Sequence, residues 1–180
     1  MNASMVDRNV RGRDELDRGR LGELYLRYAD EATRLAYLLT GDRALAEDIA
    51  QDAFVRLAGR LAHLRDQGAF APYLRRTVVN LSRSYFRRRK VERAYLDRAR
   101  GALGGGEPGV RDRSIEDREV LWAAMSRLSA RQRAAIVLRF YEDLSEAQIA
   151  EILRCRPGTV KSLVSRGLEA MRSEVGGRDD

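Results

Sequence analysis

LSEAQIAEILRCRPGTVKSLVSRGLEAMR, residues 144–172, is the stretch on which the fold turns. Ser145 with Gln148 three residues later has the spacing of a capping box, so a short helix opens there and carries Ile149, Ile152 and Leu153. A turn at 154–156 follows, and Pro157 suits the first turn of a second helix because its missing N–H has no partner to lose there. Val160, Val164, Gly167, Leu168 and Met171 recur at helical spacing and predict the inward face of that helix. Thr159, Lys161, Ser162, Ser165 and Arg166 fall outward. Such a helix-turn-helix sets hydrogen-bond donors and cations where a DNA major groove presents base edges and phosphates.

Upstream, Ser129 and Gln132 form another capping box, opening a helix that carries Ile136 and Phe140, and Leu121, Ala124, Met125 and Leu128 make a stripe before it. Residues 101–113, GALGGGEPGVRDR, hold five glycines and a proline in thirteen positions, a composition that predicts a flexible linker. In the N-terminal half, Leu21, Leu24, Tyr25, Tyr28, Ala32, Leu35, Ala36 and Leu39 share one stripe that breaks at Thr40-Gly41. Asp42 then caps a helix with Leu45, Ile49, Ala53, Leu57 and Leu61 at spacings of four and Phe54 beside them. A third long helix starts near Phe70, with Pro72 in its first turn, and runs to about Lys90 on a stripe of Phe70, Leu74, Thr77, Val78, Leu81 and Tyr85. No strand pattern competes. The expectation is an all-α chain of two small helical domains, 21–95 and 115–175, joined by a flexible linker over 96–114 and preceded by an extension, 1–20, without a motif; Met5 offers a second possible start.

The charge pattern divides along the same lines. The chain carries a net +7, which points to a polyanionic partner. Residues 21–58 hold four arginines against seven acids, whereas 59–100 hold twelve basic residues against three. Residues 141–153 hold four acids and no base, and 154–172 five bases against Glu169. A single such run is an ordinary solvated surface; two acid-then-base pairs indicate faces of opposite sign.

Several function classes drop out. One cysteine, Cys155, and one histidine, His63, give neither an internal disulfide nor a zinc set, and Cys155 reads as a small buried apolar residue. The phosphate-binding loop, dinucleotide, nucleophile-elbow and zinc-protease motifs are missing, so neither enzyme chemistry nor a cofactor nor a small-molecule substrate is expected. No apolar run approaches the roughly 20 residues of a membrane span, and the N-terminus lacks the apolar core of a signal peptide, so a cytoplasmic protein with no membrane insertion is expected.

Two further constellations carry chemistry. Arg76, Asn80, Arg83 and Arg87 align on one face of the third helix as a ridge away from its apolar stripe. Cations there can track a backbone, Phe70, Tyr73, Tyr85 and Phe86 could stack on bases or simply fill the core, and the Asn80 carboxamide can donate to and accept from a base. Glu47, Asp48, Gln51 and Asp52 form a polar face just before the basic run, either solvated or a docking surface for a basic protein.

These residues together resemble the extracytoplasmic-function group of bacterial RNA polymerase sigma factors, in the sigma-70 superfamily. Residues 21–92 look like sigma region 2, with YLLTGDRALAEDIAQDAFVRL resembling its core-binding helices and FAPYLRRTVVNLSRSYFRRR its promoter-melting helix. Residues 115–173 look like region 4, where RLSARQRAAIVLRFYEDLSEAQIAEILRCRPGTVKS runs into the helix-turn-helix. The resemblance implies that Asp48, Gln51, Asp52 and Phe54 dock on the clamp helices of the polymerase's largest subunit. It implies minus-10 contacts by Asn80 and Arg83, extended here to the whole ridge with Arg76 and Arg87, and base capture by a loop from about His63 to Ala69. Arg156, Thr159, Lys161, Ser162, Ser165 and Arg166 become the candidate minus-35 contacts. Core polymerase and promoter DNA are the implied partners, with an anti-sigma factor as a third.

Two positions depart from the pattern of the family. Arg154 stands where glycine is usual, so the turn must avoid positive φ or accept strain, and Leu163 stands where an arginine is common. The competing reading is a stand-alone helix-turn-helix transcriptional regulator with a sensing or dimerising N-terminal half, which the acidic-then-arginine order of residues 42–90 disfavours.

Overall fold

The computed structural model describes residues 3–59, 67–100 and 116–176, with side chains placed at 19–59, 68–89, 91–92 and 122–172. Within them the chain is all helix: α1 (Ala3–Thr40), α2 (Arg43–Ala58), a 3₁₀ turn (Gln67–Ala69), α3 (Phe70–Arg100), α4 (Glu116–Arg127), α5 (Ala130–Phe140), α6 (Glu146–Leu153) and α7 (Pro157–Gly176). Helix α1 starts far ahead of the expected boundary at 21, and α3 continues through the expected linker start at 96 to Arg100. Residues 101–113 and the loop residues from His63 to Asp66 lie outside the described residues.

Local signals account for the helix ends. Gly41 takes φ +77° and donates its N–H to the Tyr37 carbonyl, ending α1. Asp42 accepts the Leu45 N–H at 3.1 Å and starts α2. Both expected capping boxes are formed, Ser129 with Gln132 on α5 and Ser145 with Gln148 on α6.

Helices α1, α2 and α3 pack as one three-helix unit, and α4 to α7 as a second. In the first, Leu35, Ala36, Leu57, Phe70 and Val78 are fully buried, and the rings of Tyr25, Phe54 and Phe70 pack in series, the first pair edge to face and the second tilted, with centroids 4.9 and 5.9 Å apart. In the second, Leu138, Ile149, Leu153 and Val160 form the centre. A Cβ on Gly167 would lie 2.6 Å from the Ile136 Cδ1, so the close approach of α7 to α5 needs glycine there. Of the two apolar residues expected on α5, Ile136 is buried and Phe140 closes the helix 63% exposed, because the chain turns away at Tyr141 before anything covers it.

The two units are packed against each other. Arg133 on α5 is buried and donates from Nε to the Met125 carbonyl (2.9 Å), from one terminal nitrogen to Leu39 (3.0 Å) and from the other to Ser126 (3.2 Å). Those carbonyls belong to the last turns of α1 and α4, where the helix leaves acceptors unpaired and the dipole is negative. Burial pushes the Arg133 guanidinium below its ordinary value. Beside it, Trp122 of α4 lies on Tyr37 with ring centroids 5.3 Å apart and also covers Gly41, where an added Cβ would sit 2.6 Å from the indole. Arg133→Met should therefore destabilise the chain by about 2–4 kcal/mol, since it strands up to three buried carbonyls; urea unfolding followed by circular dichroism checks this.

Candidate nucleic-acid interface

Helix α3 carries three faces. Phe70, Leu74, Val78 and Leu81 are buried toward α1 and α2 as the apolar stripe predicts. Thr77 and Tyr85 of that stripe are half-buried at its margin. The ridge is assembled as expected, with Arg76, Asn80 and Arg83 half-buried and Arg87 exposed. The third face was not expected. Arg75, Val79, Ser82 and Phe86 form it, each one position before a ridge residue and so about 100° round the helix.

That third face meets the C-terminal unit. Arg75 pairs with the almost fully buried Glu142 carboxylate and lies 3.7 Å from Glu31. Val79 and Ser82 are buried, with the Ser82 hydroxyl donating to the Val78 carbonyl. The Arg133 guanidinium carbon sits 5.6 Å from the centre of the Phe86 ring. At the border between the two faces, an Arg83 terminal nitrogen reaches to 3.5 Å of the Leu153 carbonyl. Burial first, and then the like charge of Arg131, pushes its guanidinium below the ordinary value. An apolar residue, a small hydroxyl and a ring at 79, 82 and 86 were the only trace of this face in the sequence.

On α2, Asp48, Gln51 and Asp52 are exposed on one face. Phe54 is not part of it: one position off that face, it is 4% exposed and packed between Tyr25 and Phe70. The expectation that Phe54 contacts a partner is thus corrected, and it holds α2 in place from beneath. Val55, at the i+7 position from Asp48, is the exposed apolar member of the face. Its signal was an aliphatic residue on an otherwise polar stripe.

In the helix-turn-helix, Arg156, Thr159, Lys161, Ser162, Ser165 and Arg166 are all exposed. Ser162 donates to the Gly158 carbonyl at 3.0 Å, and Lys161 and Ser165 border an open cleft with Arg139, Glu146 and Arg172. Behind them Val160 and Gly167 are buried and Val164, Leu168 and Met171 pack on the core. Leu163 packs there too, so the position where an arginine is common serves α7 packing. At the turn, Arg154 adopts φ 51°, ψ 60°, with its N–H directed at the carbonyls of Ala150 and Glu151, and the Cys155 N–H returns to Ala150. The turn therefore accepts the strain. Cys155 is partly buried against the core. Among the described residues no cluster of His, Cys, Asp or Glu could hold a metal ion, and no helix is long and apolar enough to cross a membrane.

With this geometry in hand, comparisons with known proteins are specific. Residues 24–92 match the model of sigma-70 region 2, and 118–171 that of sigma-70 region 4. The chain is 33% identical over 160 residues to an RNA polymerase sigma-E factor of Streptomyces avermitilis, covering 87% of this chain and 86% of that one. It is 29% identical over 182 residues to the ECF RNA polymerase sigma factor SigW of Bacillus subtilis, covering 95% and 97%. Among solved structures, sigma factor RpoE of Bartonella quintana, determined in complex with the anti-sigma factor NepR, has the same fold. Its TM-score is 0.65 at 23% identity, over 86% of this chain and 96% of that one.

Arg154→Gly should stabilise the chain by about 0.5–1 kcal/mol, the relief of a left-handed Cβ less the added freedom of the unfolded chain. A higher urea midpoint at unchanged slope is the expected result.

Proposed function

The chain belongs to the extracytoplasmic-function family of RNA polymerase sigma factors, and on that premise we propose a division of labour among three of its polar faces. The Asp48–Gln51–Asp52 face, with Val55 at its edge, docks on the clamp helices of the polymerase's largest subunit. Its support is a polar, acid-rich stripe left exposed by a helix whose other side is fully buried. The ridge of α3 holds the melted minus-10 strand. Arg76, Arg83 and Arg87 attract its phosphates, and Asn80 supplies the donor and acceptor that a base edge requires. Helix α7 reads the minus-35 duplex in the major groove through Thr159, Lys161, Ser162, Ser165 and Arg166, with Arg156 at its entry.

The work done is recognition followed by capture. Bases taken from the duplex lose stacking and pairing, and that cost of a few kcal/mol per base is offset by the contacts that hold them unpaired. The polymerase performs the bond-making, so no covalent step and no cofactor is assigned to this chain, and its place of work is the cytoplasm, where the polymerase is. An anti-sigma factor, the partner of the similar Bartonella protein, is proposed as a partner here as well. The single observation that carries the reading is the match of both halves, region 2 and region 4, in one chain. It also sets aside a stand-alone regulator, for which residues 24–92 would need another identity.

Titration of labelled chain against bacterial core RNA polymerase without DNA tests the docking face. Saturable binding is expected, weakened about tenfold or more, some 1.4 kcal/mol, by Asp52→Arg. No weakening by that variant would move the docking surface elsewhere. Asn80→Ala should leave this titration unchanged while lowering minus-10 discrimination by about 1–3 kcal/mol in promoter-opening assays. An equal loss of polymerase binding would remove Asn80 from the DNA contacts.

A further inference from the structure

Arginines from both halves of the chain converge where α3 passes the turn between α6 and α7. Arg83 and Arg87 come from α3, one turn apart, Arg131 from the first turn of α5, and Arg154 from the end of α6. An Arg83 terminal nitrogen lies 3.5 Å from the carbonyl of Leu153, the residue before Arg154. On the α5 side, Arg133, just past Arg131, lies over the ring of Phe86, the residue before Arg87. Arg83 is half-buried and the other three are exposed. None of them forms an ion pair among the described residues, whereas Arg43 and Arg75 elsewhere do. Burial first, and then the like charge of Arg131, holds the Arg83 guanidinium below its ordinary value; the Cys155 thiol acts the other way, and Arg87 and Arg154 add to the lowering.

Like charges gathered without a counter-ion repel one another, and the fold holds this group at a further cost. Arg154 occupies left-handed backbone, at φ 51°, where glycine is the residue without penalty. Strain of this kind clusters at ligand clamps. The first turn of α5 adds the positive end of a helix dipole beside Arg131. Each guanidinium fork can bind two phosphate oxygens at once, and several forks around one place suit an anion that carries its charges on linked groups. We propose that Arg83, Arg87, Arg131 and Arg154 form a site for a chain of linked phosphates, assembled from both halves of the molecule. Two sources carry such phosphates, a free polyphosphate and the backbone of a nucleic-acid strand. A free polyphosphate seated on Arg83 and Arg87 excludes the strand that the ridge is read as holding, and this consequence alone rests on that reading.

Calorimetric titration of the full chain with inorganic triphosphate, and separately with a short oligothymidylate, tests the site at fixed ionic strength. Triphosphate is expected to bind more tightly than orthophosphate. Arg131→Gln should weaken the binding of one or both probes about tenfold. Arg154→Gly, which relieves the turn while removing its charge, should weaken the same probe several-fold. Arg56→Gln removes an exposed charge on α2, outside the cluster, and should change neither. Weakened triphosphate binding with oligonucleotide binding unchanged identifies a free polyphosphate as the source; weakened oligonucleotide binding identifies a strand backbone. Binding of both probes left unchanged by Arg131→Gln or by Arg154→Gly, or weakened equally by Arg56→Gln, reduces the effect to the attraction of any anion for a chain of net +7 and overturns the site. No polymerase enters this titration, so its failure is distinct from a failure of the sigma-factor reading, which the Asp52→Arg titration decides.

Discussion

A single buried guanidinium holds the two halves in register. Arg133 has no carboxylate among its hydrogen-bond partners in the described residues; it is solvated by the dipoles of three carbonyls at the C-terminal ends of α1 and α4. Each of those helix ends would otherwise leave acceptors unpaired, and each carries the negative end of a dipole. One side chain thus closes two helix termini from different units. Because the guanidinium must reach both, α4 is brought over Gly41 and Tyr37, and α5 is laid across the end of α1 and the middle of α3 at Phe86. The desolvation that lowers the Arg133 value is the cost of that arrangement, offset by charge-assisted hydrogen bonds in three directions.

Helix α3 is where fold and function compete for surface. A helix offers roughly three faces of about 100° each, and here one goes to the N-terminal core, one to the ridge and one to the C-terminal unit. Shifting by one residue moves from Arg76, Asn80, Arg83 and Arg87 to Arg75, Val79, Ser82 and Phe86. Arginine side chains are long enough to cross the border, which is why Arg83 is drawn toward Leu153 while Arg87 stays in solvent. The same length that lets an arginine search for a phosphate lets it find a carbonyl when the phosphate is not there.

The helix-turn-helix solves a different problem. Its outward residues are free of the core because the inward ones, Val160 and Gly167 above all, let α7 lie close on α5. The left-handed Arg154 ends α6 sharply enough to aim α7, and it does so without glycine, storing strain in the turn beside the predicted DNA contacts. Leu163 exchanges a possible cation for packing.

What the sequence determined by itself was everything governed by near neighbours: the two capping boxes, the break at Gly41, the Asp42 cap, the inward stripes of α2, α3 and α7, and the exposure of all six candidate minus-35 residues. Each depends on groups within about one or two turns, where spacing alone sets the partner. Periodicity set Phe54 beside the apolar stripe of α2, and it was the resemblance that placed it on the docking face, whereas it is buried between Tyr25 and Phe70. Phe140 continued an apolar stripe whose cover stops short of it. The tertiary structure alone decided that Glu142 finds Arg75 across 67 positions and that Arg133 finds the Leu39 carbonyl across 94. A backbone carbonyl at a helix end leaves no mark in the sequence, and a charged residue looks the same whether water or a distant helix answers it.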